Sequence, residues 1–167
     1  MSKVGSAGRS YQAIEITDLR RLVQIAQKDE FEFFEKHPEW AKLYAGRKIC
    51  IALCQGAALH YIDGSTGIND FDIYTFYRKH PAKSLYPKRI KSYDFGDTKF
   101  GQSQDKPGFI GRRVDCLVRS IDAAKGEDVE ASIQRYLRDG KTETARLLAA
   151  KAVILLEPNC GKVIWPR

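Results

Sequence analysis

Apolar residues recur at helical spacing through Leu19, Leu22, Val23, Ala26, Phe33 and Phe34, which predicts an amphipathic helix capped at Thr17 and broken by Pro38. A shorter helix over Glu39 to Ala45 follows, and Gly46 ends it. The period then changes. Ile49 to Cys54 is the longest uninterrupted apolar run of the chain, and a run this short predicts a central strand buried on both faces. After Gly56 the segment Ala57-Ala58-Leu59-His60-Tyr61 reads as the first turns of a helix, and Asp63 to Gly67 is a loop by composition.

Phe71 to Tyr77 is rich in aromatic and β-branched residues, so a second strand is expected there. Val114, Cys116 and Val118 alternate with Asp115, Leu117 and Arg119, giving a third strand with two different faces. The stretch between them holds Pro81, Pro87, Pro107 and several glycines, and reads as loop with a short hairpin near Ile90 to Phe95. Farther on, Val129, Ile133, Tyr136 and Leu137 define a helix that Gly140 terminates, and Thr142 caps another through Leu148 and Ala149. Val153 to Leu156 and Lys162 to Trp165 close the chain as strands. With no internal repeat and no low-complexity linker, one α+β domain is expected over residues 12–167, behind a loose polar tail at residues 1–11.

Composition narrows the class. A chain of 167 residues, 43% apolar and 29% charged, can build one core and is not fibrous or disordered. No apolar run approaches the roughly 20 residues that span a bilayer. The first ten residues lack the apolar core of a secretory signal, so a cytoplasmic protein with no membrane partner is expected. Cys50, Cys54, Cys116 and Cys160 contain no C-x-x-C pair and three of them lie in apolar stretches; they read as buried thiols of a reducing compartment, not as a disulfide or zinc framework. His37, His60 and His80 have no zinc-ligand spacing, and His60, beside Leu59, reads as packing. Phe31, Phe33, Phe34 and Trp40 read as core.

Charge changes the picture more. Between Arg78 and Arg113 ten basic residues face three acidic ones, a surplus of seven that equals the +7 of the whole chain. Tyr86, Tyr93, Phe95, Phe100 and Phe109 are interleaved with them, a pattern that favours polyanions as much as it favours a solvated basic loop. Within it Lys88, Arg89 and Lys91 form the cluster expected to contact an acceptor or nucleic acid. Lys141 and Lys151 are further cations that could reach a triphosphate or simply face solvent.

The chemistry is carried by carboxylates. Asp70 and Asp72 flank Phe71 at the start of the second strand, and residues two apart on a strand share a face at about 6 to 7 Å. Asp115 sits between apolar neighbours on another strand, where a carboxylate is costly unless a cation neutralises it. Three such groups on one face suit a hard cation with oxygen ligands, Mg2+ above all. Asp115 could instead pair with Arg112, Arg113 or Arg119 as a structural ion pair.

The order of a strand, a glycine turn, a helix, an Asp-x-Asp strand and a lone Asp on a later strand resembles the polymerase-beta-type nucleotidyltransferase superfamily. Here it reads Cys54-Gln55-Gly56-Ala57, then Asp70-Phe71-Asp72-Ile73-Tyr74, then Val114-Asp115-Cys116. The piece from Gln55 to Tyr61 leading into Asn69-Asp70-Phe71-Asp72 is most similar to the AbiEii-type toxin branch. The resemblance implies a nucleotidyltransferase-like mixed β-sheet packed by N- and C-terminal helices. It also implies transfer of a nucleoside monophosphate from an NTP to a hydroxyl on RNA, a protein or a small molecule. Asp70, Asp72 and Asp115 would hold two Mg2+ ions, with Mn2+ as a substitute, and Asp115 would help deprotonate the acceptor. Gln55, Gly56 and Ala57 would bind the nucleotide through backbone N–H groups at the helix start. The superfamily commonly has Gly-Ser or Gly-Gly at this turn, whereas Gly56-Ala57 offers no hydroxyl. The rival expectation is a non-catalytic module on the same fold, binding a partner protein in a toxin–antitoxin or phage-defence setting, or binding nucleic acid.

Overall fold

The computed structural model describes residues 8–85 and 91–166. In chain order the elements are α1 (Ile16–Lys36), α2 (Pro38–Tyr44), β1 (Lys48–Cys54), α3 (Gln55–Asp63), β2 (Phe71–Arg78), β3 (Lys91–Asp94), β4 (Arg113–Ile121), α4 (Val129–Asp139), α5 (Glu143–Ala149), β5 (Val153–Glu157) and β6 (Val163–Trp165). The six strands form one sheet in the order β3-β4-β2-β1-β5-β6. It is mixed: β2 and β4 run parallel and the other neighbours are antiparallel.

The two-residue period of the strands divides the core. Ile51, Leu53, Phe71, Ile73, Val114 and Cys116 project toward α1 and α3, where Leu19, Leu22, Ala26, Ala57 and Ala58 meet them. Cys50, Ala52, Cys54, Tyr74, Phe76 and Leu117 project the other way, onto Ile133 and Leu137 of α4 and Leu148 of α5. β1 and β2 are therefore apolar on both sides, as the unbroken run Ile49 to Cys54 implies. Cys50, Cys54 and Cys116 are buried free thiols. Among the described residues no helix is long and apolar enough to cross a membrane.

Four expectations need correction. α1 starts at Ile16 and not after Thr17, because Asp18 reaches back to accept the Glu15 N–H at 2.8 Å, making Glu15 the cap. Residues 8–11 are packed and not loose: Ser10 and Ile68 exchange backbone hydrogen bonds at 2.9 and 2.7 Å, and Arg112 donates to the Gly8 carbonyl. The strand expected to close a local hairpin near Ile90 to Phe95 is β3, and it pairs with the distant β4. Phe31 is 69% exposed on the outer face of α1, while its neighbour Phe33 is buried.

The stretch between β3 and β4 is irregular yet tightly bonded. Asp94 accepts N–H groups from Gly96, Ile110 and Gly111. Arg112, only 1% exposed, donates to the carbonyls of Phe100, Asn69 and Gly8 at 2.8, 3.2 and 2.7 Å. These bonds satisfy a charge that burial alone would make very costly. Asp94, taking the N–H groups of both Gly96 and Gly111, holds those two glycines together, and a Cβ added at Gly111 would lie 1.8 Å from the Gly96 carbonyl oxygen. Gly108 has open space around the same position. Gly111→Ala should therefore destabilise the fold by about 3 kcal/mol or more, through a backbone clash that cannot relax locally. Gly108→Ala should stay within about 0.5 kcal/mol of the parent in the same urea melts.

Candidate active site

The parallel register of β2 and β4 sets Asp72 directly beside Asp115. The antiparallel pairings extend that row outward, to Ser92 of β3 on one side and to Cys54 of β1 and Val153 of β5 on the other. Adjacent strands are about 4.8 Å apart, so the two carboxylates are immediate neighbours in the middle of the sheet. Asp70, two residues before Asp72, completes the group. One oxygen from each of Asp70, Asp72 and Asp115 lies within 4.8 Å of the other two.

Burial and the crowding of like charge shape the electrostatics together. Burial and then the charges of Asp70 and Asp115 push the Asp72 carboxyl up to about 7, against smaller opposing effects of Arg113 and Lys151. Among the described residues nothing hydrogen-bonds or ion-pairs with Asp72. Asp115 is also raised by burial, and it is partly relieved by the Ser92 hydroxyl, which donates to Oδ1 at 2.7 Å, and by Arg113. Burial and the nearby Asp72 charge keep the Cys54 thiol protonated.

Arg113 supplies the compensating cation. Its Nη2 donates to Asp70 Oδ2 at 2.5 Å and its Nη1 to Asp105 Oδ2 at 2.5 Å. Its Nε lies 3.2 Å from Asp115 Oδ2, a charge contact without hydrogen-bond geometry that leaves this buried N–H without an acceptor. Of the three arginines that the sequence offers as partners for Asp115, Arg113 is the one in ion-pair contact, because it lies two residues away on the same strand face. Arg112 points into the core, and Arg119 stands over the Tyr74 ring at 5.8 Å.

Beside the carboxylates, β1 turns into α3. Gln55 takes the left-handed backbone conformation, φ +62°, and donates its N–H to the Ala152 carbonyl. Such a conformation is costly for a residue with a Cβ and marks a forced turn. Gly56 is half-buried, and a Cβ built there would meet nothing within 4 Å. Ala57 is 3% exposed and packs in the core, so only its backbone can serve a ligand. His60 is a packed histidine, taking the Gly67 N–H on Nδ1 and facing the Gln12 carbonyl with Nε2 at 2.9 Å.

The basic segment looks different once folded. Lys99 pairs with Glu15 and Asp18, Arg112 is buried and Arg113 is held by aspartates, so much of its surplus charge is neutralised internally. Lys91 is exposed at the outer edge of the sheet, whereas Lys88 and Arg89 lie outside the described residues. Lys141 stands apart from the carboxylates, in a cavity of about 370 Å³ at the far end of β4 lined also by Ser120, Ile121 and Tyr136. Lys151 is the lysine whose charge acts on Asp72. Ser92 was invisible in the sequence, since nothing local distinguishes it; only the β3–β4 register brings it to Asp115.

Three clustered carboxylates, one of them without a hydrogen-bond or ion-pair partner, form a hard oxygen donor set that fits a divalent cation such as Mg2+. No protein-family model, curated protein or solved structure matches this chain. The raised Asp72 carboxyl is measurable. An unfolded chain titrates Asp72 near 3.8, so the folded protein binds the extra proton between about pH 4 and pH 7 and loses stability as the pH rises through that window. Asp72→Asn should be more stable than the parent at pH 8, by an amount on the order of 1 to 3 kcal/mol, with the difference vanishing toward pH 4. Urea melts across that range read it directly.

Proposed function

We propose that this chain is a Mg2+-dependent nucleotidyltransferase of the polymerase-beta type, moving a nucleoside monophosphate from an NTP to a hydroxyl acceptor on RNA, a protein or a small molecule. The observation that carries the reading is the meeting of Asp70, Asp72 and Asp115 on one sheet face, beside the turn at Gln55 and Gly56. The order of these elements is the one the resemblance is built on.

Asp70, Asp72 and Asp115 would hold the divalent ions, which when bound neutralise phosphate charge and lower the pKa of an acceptor hydroxyl. The N–H groups of Gly56 and Ala57, at the start of the nine-residue α3, are free to take phosphate oxygens, because the first N–H groups of a helix lack intrahelical acceptors. The open space at Gly56 gives a phosphate room for close approach. Lys151 adds positive charge on the β5 side of Asp72. The acceptor oxygen attacks the α-phosphorus, pyrophosphate leaves and Asp115 would take the hydroxyl proton, so the chain's task is positioning, charge stabilisation and this one proton transfer.

One observation favours the second reading, a non-catalytic binding module: Arg113 already neutralises two of the three carboxylates. Transfer of labelled NMP from each of the four NTPs separates the two readings. Transfer that falls by at least about 100-fold in Asp72→Asn supports the enzyme; full activity in that variant, or none in the parent, supports the module. Gly56→Ala isolates the nucleotide site, since a Cβ there meets nothing within 4 Å of the protein yet fills space a phosphate would enter. It should melt within about 2 °C of the parent without ligand, and lose the rise in Tm that NTP and Mg2+ give the parent.

A further inference from the structure

Arg113 stands between three acidic side chains, and its three contacts are unequal. Asp70 and Asp115 belong to the carboxylate group, whereas Asp105 lies on the irregular stretch before β4 and its side chain is 53% exposed. The contact with Asp115 is the weakest of the three, since Nε has no hydrogen-bond acceptor there. The backbone of Arg113 is fixed by β4 and by its N–H bond to Ser103 Oγ at 2.8 Å, so only the side chain can move. A guanidinium stays charged at every accessible pH, and it relieves crowding at its partners only by staying or by swinging away, never by losing a proton.

We propose that Arg113 is a displaceable counter-cation, neutralising Asp70 and Asp115 while the site holds no divalent ion and withdrawing onto Asp105 when one is taken up. This rests on the carboxylate reading of the preceding section. The guanidinium touches one oxygen on each of two of the three clustered carboxylates, Asp70 Oδ2 and Asp115 Oδ2, so a divalent ion held by the same group would be set against its positive charge and repel it. Asp105 is not one of the three clustered carboxylates and it already holds Nη1, so the displaced side chain keeps one ion pair. Arg113 thereby lowers the affinity of the site for free ions and steadies the fold in their absence, two effects of opposite sign from one side chain.

The experiment is calorimetric titration with Mn2+ alone at pH 8, with thermal melts alongside, on the full chain and on Arg113→Gln and Asp105→Asn. Arg113→Gln is expected to bind Mn2+ tighter by roughly three- to tenfold, the range that loss of one or two partly exposed ion pairs spans. Its Tm without Mn2+ is expected to fall, and the gap to the parent to close at saturating Mn2+. Asp105→Asn, a change at an exposed side chain, is expected to weaken Mn2+ binding, because the displaced arginine loses its resting place. Parent binding with unchanged or weaker affinity in Arg113→Gln overturns the arginine's role and leaves the metal-site reading standing. Should Arg113→Gln not fold, unchanged or tighter binding in Asp105→Asn overturns it. No binding in the parent or in either variant overturns the metal site, and the counter-cation with it.

Discussion

Pairing β2 and β4 in parallel, with Asp72 opposite Asp115, places two carboxylates side by side in the interior of a sheet. Parallel neighbours cannot be joined by a tight turn. The long excursion from Arg78 to Arg113 is the connection this pairing demands, and β3 and the irregular stretch after it are built within that excursion. A one-residue slip in the pairing would turn Asp115 to the opposite face, into the apolar layer under α1. The side chains of β4 are committed face by face, Val114 and Cys116 against that layer and Leu117 against the other, and this opposes the slip. The hydrophobic pattern of one face therefore determines where the charges of the other must lie.

Like charges at that spacing require compensation, and the fold supplies it from several directions. Ser92 arrives from the outer edge of the sheet, Arg113 from the start of β4 and Lys151 from the approach to β5. Asp72 receives the least of it: among the described residues its neighbours act on it through charge alone, without a hydrogen bond or ion pair, and burial together with the charges of Asp70 and Asp115 pushes its carboxyl up to about 7. A structural sheet gains nothing from such a group, because a buried carboxylate is cheaper when it is bonded or replaced. A strongly perturbed carboxyl in such a group marks a candidate functional site.

The residues after β3 show how folding redistributes charge. Arg112 and Arg113 are adjacent in sequence and opposite in role, one buried on three carbonyls and the other among aspartates. Arg112 lies just before β4 and Arg113 is the first residue of the strand, so their side chains take different directions. Lys99 is likewise spent on Glu15 and Asp18 at the start of α1. A basic surplus counted along the chain is therefore not the same as a basic surface.

Period and composition alone determined most of the element types: the amphipathic first helix, the doubly buried β1, the two faces of β4 and the helices ended by Gly140 and capped by Thr142. These depend on local spacing, and the two-residue period likewise put Asp70 and Asp72 on one face before any fold was known. Other features depended on partners far away in the chain. The cap at Glu15 is local but was hidden by Thr17, the better cap residue by type, since Glu15 caps through the box that Asp18 closes onto it. The burial of residues 8–11 depends on Arg112 and Ile68, and the place of Ser92 on a register that no local pattern encodes. That Arg113, and not Arg112 or Arg119, meets Asp115 combines parity with the position of Asp70 on the neighbouring strand. Side-chain periodicity is a property of a single strand and can be read from it, whereas the meeting of charges from two strands exists only once the sheet has assembled.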